Sequence, residues 1–347
     1  MILVTGGLGF VGSHTTRALL DLGESCVLVQ RREPVLPDDL AGQAGQRVFT
    51  EQADVADLAA LQEIGRRHRI TGIVHLAGSV PWPPGGQPPV AEARTAIGSL
   101  LNVLQAACDW QVPRVGLAST IGVYGGATAS SPLREDVPLP MTAGHVIPAF
   151  KKIGELLADY LAGATGIEIV SYRISLWGPG GNPMSPFTAV PQLIHAAARG
   201  AAPDFSALRS PAHACDGLDM CYVKDCARAI ALLQLAPRLS HRTYNIAAGA
   251  VLANGDVATA IRRLVPDAQV DLPEGRSPGS GPPICLDITR LRQDTGYQSA
   301  YDTDRAVADY LTWPRPHIRP MREPLRQSLT PWVRSSSSIQ SSRIVMP

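Results

Sequence analysis

Gly6-Gly7-Leu8-Gly9-Phe10-Val11-Gly12 follows directly on the apolar run Ile2-Leu3-Val4-Thr5 and leads into an amphipathic stretch over residues 13–22. A four-residue apolar run bounded by glycines reads as a buried strand, and the stretch behind the glycines has the apolar spacing of a helix. Glycines at such a junction permit a tight turn, a close approach of backbone to ligand, and close seating of the helix on the strand. A helix that opens there presents unpaired N–H groups and a partial positive charge, a ready site for a pyrophosphate. The competing reading is an ordinary glycine-rich turn, against which the strand-to-helix context speaks.

Working outward, the same alternation continues through the first half of the chain. Strands are expected at 26–29, 46–49, 73–77, 115–119 and 168–173, and helices at 13–22, 58–67, 90–109 and 149–161, with Gly23 closing the first helix. Short apolar runs alternating with helix-length stretches are the pattern of βαβ units. The expected fold class is therefore α/β: a Rossmann-type doubly wound parallel sheet with a smaller C-terminal substrate lobe. Residues 1–176 are expected to be mainly the dinucleotide-binding domain. Beyond Trp177 prolines multiply, so 177–320 are expected to be mainly a substrate lobe with segments returning to the first domain. Residues 321–347, with a Ser-Ser-Ser-Ser run, are expected to be a partly disordered tail.

The 347 residues are 45% hydrophobic and 18% charged, enough apolar material for a sizeable core. A formal charge of +1, from 31 basic against 30 acidic residues, gives no general pull toward nucleic acid or an anionic membrane. Six cysteines are scattered without close CxxC pairs, so reduced thiols are expected and no metal site. The N-terminus lacks a signal-peptide pattern and no run reaches about 18 apolar residues, so a cytoplasmic protein is expected.

The pyrophosphate contacts are assigned to Gly6, Gly9, Phe10, Val11 and Gly12. The second strand runs out into Gln30-Arg31-Arg32, where an NAD-preferring protein usually carries an acid for the ribose 2′-hydroxyl. Two guanidiniums there suit a 2′-phosphate, so NADPH is the expected cofactor, with NADH tolerated. A merely solvated arginine pair is the alternative. Asp54, followed by Val55, is placed to meet the adenine amino group, or is a turn aspartate.

Six landmarks occur in order: the glycine loop, His75-Leu76-Ala77-Gly78, Ser119-Thr120-Ile121-Gly122-Val123-Tyr124-Gly125, Trp177-Gly178-Pro179-Gly180, the stretch from Asp219 to Ala227, and Tyr244-Asn245-Ile246-Ala247. With them the chain, from Met1 to about Trp313, resembles the extended short-chain dehydrogenase/reductases of the NAD-dependent epimerase/dehydratase group. The resemblance implies a two-lobed enzyme in which Leu76, Ala77 and Gly78 line the cofactor, Thr120 positions a carbonyl and Lys151, followed by Glu155, holds the nicotinamide ribose. It also implies a proton-transferring Tyr four residues before the lysine, where this chain has Ile147. An isoleucine has no proton to give.

Three consequences are open. His145 is the nearest titratable substitute, its side chain sharing a side with residue 147 if the segment is extended, though an exposed loop histidine is the simpler view. Tyr124 is expected to pack near the cofactor rather than replace the acid. Alternatively, an aromatic ketone with a hydroxyl beside the carbonyl supplies its own hydrogen bond, and the protein contributes orientation. In that respect the chain resembles the atypical polyketide ketoreductases of antibiotic pathways, which implies reduction of a polycyclic, angucyclinone-like ketone. The Pro/Gly-rich loop 79–89, with Ser79 and Trp82, then offers an apolar wall or is a merely structural linker, and Ser175 and Trp177 are further substrate contacts or, equally, a buried strand-end serine and a core residue. Two alternatives remain: an NADP(H)-binding sensor or scaffold without catalysis, and a sugar-nucleotide epimerase or dehydratase with a displaced acid. Few basic residues for a diphosphate stand in 179–211, where Arg199 reads as a helix cap. Many members of the family pair through the helices corresponding to 90–109 and 149–161, so the resemblance leaves a homodimer open, with neither stripe distinctive by itself.

Overall fold

Short apolar strands and longer amphipathic helices alternate from the first residue on. In chain order they are β1 (Ile2–Thr5), α1 (Phe10–Asp21), β2 (Cys26–Gln30), α2 (Asp38–Ala41), β3 (Val48–Gln52), α3 (Leu58–Arg67), β4 (Gly72–His75), α4 (Pro89–Asp109) and β5 (Arg114–Thr120). A 3₁₀ turn (Ile121–Tyr124) precedes α5 (Val146–Thr165), β6 (Glu168–Ile174), β7 (Leu176–Trp177), α6 (Val190–Arg199), β8 (Gly217–Asp219) and β9 (Cys221–Tyr222). Then come α7 (Val223–Leu235), β10 (Thr243–Ile246), β11 (Val251–Ala253), α8 (Asn254–Leu264), α9 (Thr289–Thr295) and α10 (Thr303–Thr312). This computed structural model describes residues 1–78 and 88–313; Ser79, Trp82 and the stretch 321–347 lie outside the described residues.

Seven strands form one parallel sheet in the order β10-β6-β5-β4-β1-β2-β3. Leu3 is flanked by Val27 on β2 and Ile73 on β4, so the chain reverses its winding direction beside β1. At such a switch point the loops at the carboxyl ends of neighbouring strands part, and a ligand crevice opens there. Both faces of the sheet are covered. Ile2, Val4, Cys26 and Leu28 pack with α1, α7 and α9 on one face. Leu3, Val27, Val29 and Ile73 pack with α3, α4 and α5 on the other. Strict alternation of neighbours between two apolar layers is what a central parallel strand requires.

A further core gathers Trp177, helix α6, helix α8 and helix α10 around Tyr222 and Val223. Two small sheets accompany it: antiparallel β11 with β8, and parallel β7 with β9.

Several boundaries differ from the sequence expectation for local reasons. Helix α1 takes in Phe10, Val11 and Gly12, so the last three of the seven residues of the glycine stretch are already helix. Helix α5 begins at Val146 and tolerates Pro148 in its first turn, where a missing N–H breaks no helical bond. Pro89, assigned to the preceding loop from sequence, is the first residue of α4, for the same reason.

Candidate active site

The glycine loop is built as a cradle. Gly6 turns the chain with φ +68°, a left-handed conformation that side chains disfavour. Gly12 lies so close to the loop that an added Cβ would stand 2.1 Å from the Gly6 carbonyl oxygen. Helix α1 opens at Gly9 with no side chain capping its first turn. Its leading N–H groups are left to a ligand or solvent, which fits the pyrophosphate of a dinucleotide.

Gln30 ends β2 beside this loop. With its amide oriented by the surrounding donors, Oε1 accepts from the Gly7 N–H at 3.0 Å and from the Leu8 N–H. A neutral amide thus occupies the place usually held by an acid. Arg31 and Arg32 beyond it are exposed, and no ion pair engages either among the described residues. Asp54 is half-buried and spends one oxygen on the Ala56 N–H at 2.9 Å, the turn reading of this residue, while Val55 is buried below. Across the switch point Leu76 and Ala77 are half-buried and Gly78 exposed. Thr5 Oγ1 accepts from the Ala77 N–H at 3.2 Å and lies 2.7 Å from His75 Nδ1, which ties the β4 exit to β1.

Thr120 ends β5, half-buried, and its Oγ1 accepts from the Gly122 N–H at 3.2 Å. Ile147 and Lys151 are one turn apart in α5 and share a face. Half-buried as a whole residue, Lys151 lines a small cavity of about 50 Å³ together with His75, Ala77, Ser119, Glu155 and Ser171. Burial pulls this amine down to about 8, with the Glu155 carboxylate opposing the shift. Burial also takes His75 down to about 3, helped by the neighbouring Lys151 charge, so the imidazole is neutral at physiological pH.

Tyr124 does not face the cleft. It is 1% exposed, and its hydroxyl donates to Asn245 Oδ1 at 2.8 Å while accepting from Arg173 Nη1 at 2.8 Å. Burial raises its pKa, partly offset by Arg173. Arg173 in turn pairs with Glu155 at 2.7 Å, and Glu155 also accepts from the Ser119 hydroxyl. No local pattern signals this network, because its members lie on β5, α5, β6 and β10.

His145 has extended backbone (φ −164°, ψ 175°) but Ile147 is already helical, so the two do not share one extended segment and the condition under which their side chains would point the same way is not met. It is the residue from which α5 starts, half-buried, its ring stacked on Phe187 at 5.3 Å. Burial and the charge of Arg209 both lower its pKa. Ser175 is buried and donates to the Asp219 carbonyl, so its hydroxyl is engaged with backbone. Trp177 is 4% exposed and packs against Tyr222 at 5.2 Å and Tyr310 at 6.4 Å, in the core rather than at a substrate surface.

A cavity of about 280 Å³ opens among Phe187, Arg209, Leu218, Asn254 and Arg276. Two arginines therefore line one cavity, the Arg209 guanidinium over the Phe187 ring at 4.8 Å and the Arg276 guanidinium donating to the Gly281 carbonyl. Reading 179–211 by itself missed this, because Arg276 arrives from a distant stretch. Among the described residues no group of three metal-ligating side chains occurs, and no helix is long and apolar enough to cross a membrane.

A doubly wound sheet whose first loop is a phosphate cradle defines a dinucleotide-binding oxidoreductase scaffold. The model of the NAD dependent epimerase/dehydratase family matches residues 2–247, and the chain belongs to that family. It is 27% identical over 333 residues to the UDP-glucose 4-epimerase of Azospirillum brasilense, covering 90% of this chain and 92% of that one. Among solved structures, the UDP-N-acetylglucosamine 4-epimerase of Methanobrevibacter ruminantium superposes with a TM-score of 0.73 at 23% identity, covering 90% of this chain and 97% of that one. The UDP-glucose 4-epimerase of Thermus thermophilus, solved as a complex with NAD, gives 0.69 at 22% identity, with 89% and 97% covered. At such identities the structural likeness speaks for the fold.

Proposed function

We propose that this protein is an NADPH-dependent reductase of an aromatic ketone that carries a hydroxyl beside its carbonyl, such as an angucyclinone-like polyketide. The observation that carries this reading is that, among the described residues, no phenol stands where the helix meets the cleft. Ile147 stands one turn before Lys151, and the nearest tyrosine in the β5 landmark, Tyr124, is sealed behind Arg173 and Asn245. When bound, the dinucleotide supplies hydride to the carbonyl carbon. Thr120 and Lys151 orient the reactants, and the Lys151 amine, lowered to about 8, still carries its proton at neutral pH. The substrate's own hydroxyl hydrogen-bonds the oxygen on which charge develops and passes it its proton, and solvent reprotonates the phenolate left behind. Gln30 in place of an acid, with Arg31 and Arg32 exposed beside it, supports NADPH over NADH.

A second reading, a sugar-nucleotide epimerase or dehydratase with a displaced acid, is favoured by a specific observation. Arg209 and Arg276 line one cavity, and two arginines suit a diphosphate. The epimerase relatives speak for this second reading rather than the first. Two copies are proposed to pair through α4 and α5, where Leu101, Ile153, Leu156 and Tyr160 are exposed.

The test is a two-arm assay on the purified protein. One arm follows NADPH consumption with a panel of peri-hydroxy aromatic ketones, and the other follows interconversion of UDP-glucose and UDP-galactose. Turnover confined to the ketones supports reduction, and epimerisation without ketone turnover replaces it with the second reading. Tight NADPH binding with neither activity would leave a sensor or scaffold.

A further inference from the structure

The second turn of α1 carries a buried histidine that no step above uses. His14 is 8% exposed, and its Nε2 lies 3.3 Å from the carbonyl oxygen of Pro179. A carbonyl only accepts, so Nε2 carries the proton and donates, which fixes the tautomer. The ring lies 5.3 Å from that of Trp313 and meets Phe10 edge-on at 6.5 Å. Phe10 itself lies against Gly181, where an added side-chain carbon would come within 2.9 Å of the ring. Three separated parts of the chain therefore meet at His14: the opening of α1, the loop 178–181 between β7 and α6, and the end of α10.

That loop needs a directional tether. Gly178 has φ +150° and Gly180 φ +87°, so two of its four residues sit where only glycine is relaxed, and such backbone is pliant. A ring of any kind would fill the space between Phe10 and Trp313. Only one with an N–H aimed at Pro179 also fixes where the loop lies. Burial lowers the pKa of His14, against the Pro179 hydrogen bond and with the help of the Lys224 charge, so the neutral donor form is present at physiological pH.

We propose that His14 is a positioning residue for the bound dinucleotide, holding the loop 178–181 against Phe10 and so setting the gap over the helix opening in which the pyrophosphate lies. The proposal rests on the dinucleotide reading of the glycine loop and is independent of the substrate. It separates the two halves of the cofactor. The adenosine half would be held at the exits of β2 and β3, by Gln30 and Asp54, and the pyrophosphate would be held at the opening of α1, next to the clamp.

Two variants divide the ring from its donor. His14→Phe keeps a ring between Phe10 and Trp313 but removes the N–H; His14→Gln restores a donor of similar reach. Dissociation constants are measured for NADPH and NADH, and for 2′,5′-ADP and 5′-AMP as adenosine-half probes. His14→Phe is expected to weaken the better dinucleotide about fivefold to tenfold, the worth of one hydrogen bond, with the adenosine probes unchanged. His14→Gln is expected to regain most of that loss. Unchanged dinucleotide binding in His14→Phe overturns the proposal, and so does an equal loss for the adenosine probes, which would mark a general loosening. A wild-type protein that binds neither dinucleotide would instead strike the reading of the glycine loop itself.

Discussion

Lys151 holds a charge where burial disfavours it, and replacing it with methionine should stabilise the protein while removing its function. Its amine falls from an ordinary value of 10.5 to about 8, chiefly through burial. At about 1.36 kcal/mol per pKa unit, the ammonium is disfavoured in the folded chain by at most about 3 kcal/mol. Unfolding entropy of roughly 2 cal/mol/K per residue, taken over the described chain, converts this to a melting-temperature gain of roughly 4–5 °C. The sign follows from proton counts. Below pH 8 the amine is protonated folded and unfolded alike, and the wild type bears the full penalty. Between about 8 and 10.5 the unfolded chain binds more protons than the folded one, so wild-type stability rises with pH relative to the variant. Lys151→Met should thus melt higher than wild type at pH 7, with an advantage that shrinks steadily and vanishes near pH 10.5. Calorimetry at half-unit steps from pH 6 to 10.5 reads this directly. A variant no more stable than wild type at pH 7, or an advantage constant across the range, would refute the claim that the site keeps a desolvated amine at a cost in stability.

Glu155→Gln leaves the Arg173 guanidinium, whose side chain is 6% exposed, without a charged partner. Removing one member of a buried pair typically costs about 3–5 kcal/mol, so denaturant unfolding should show a loss of that order, largely recovered in a Glu155→Met/Arg173→Met double variant. Gly12→Ala drives a methyl to 2.1 Å from the Gly6 carbonyl oxygen, and the loop must separate from α1. Losing even one charge-assisted N–H contact weakens dinucleotide binding roughly tenfold or more, a shift that titration of NADPH fluorescence detects. Replacing Arg31 and Arg32 by serine should weaken NADPH by roughly tenfold to a hundredfold and leave NADH unchanged, with the salt dependence of NADPH binding lost; equal effects on both cofactors would return the arginines to a solvated pair.

What could be read from sequence was the part governed by short-range pattern. The glycine loop, the alternation of Ile2 to Thr5 and of Cys26 to Gln30, and the parallel sheet all follow from spacing, since each residue's face is set by its immediate neighbours. Strand β3 lies later than expected, at Val48–Gln52, because Ala44 to Arg47 are used in a turn closed by hydrogen bonds from Gly45, Gln46 and Arg47. At the site, residue type was legible and orientation was not. Ser175 and Trp177 stand where the landmarks put them, yet one is bonded to backbone and the other buried in a core, outcomes decided by Asp219, Tyr222 and Tyr310 from far along the chain. The amide of Gln30 against the glycine loop, the sealing of Tyr124, and the placing of Arg209 and Arg276 at one cavity depend likewise on the folded chain.

The central claim is that reduction proceeds here without a protein phenol. Single-turnover NADPH oxidation with one peri-hydroxy aromatic ketone, compared between wild type and Ile147→Tyr, tests it most directly. Wild-type turnover that gains less than about a hundredfold from the new tyrosine, the low end of what a positioned acid contributes, is the expected result. A wild type that leaves NADPH unoxidised until tyrosine is installed would contradict it.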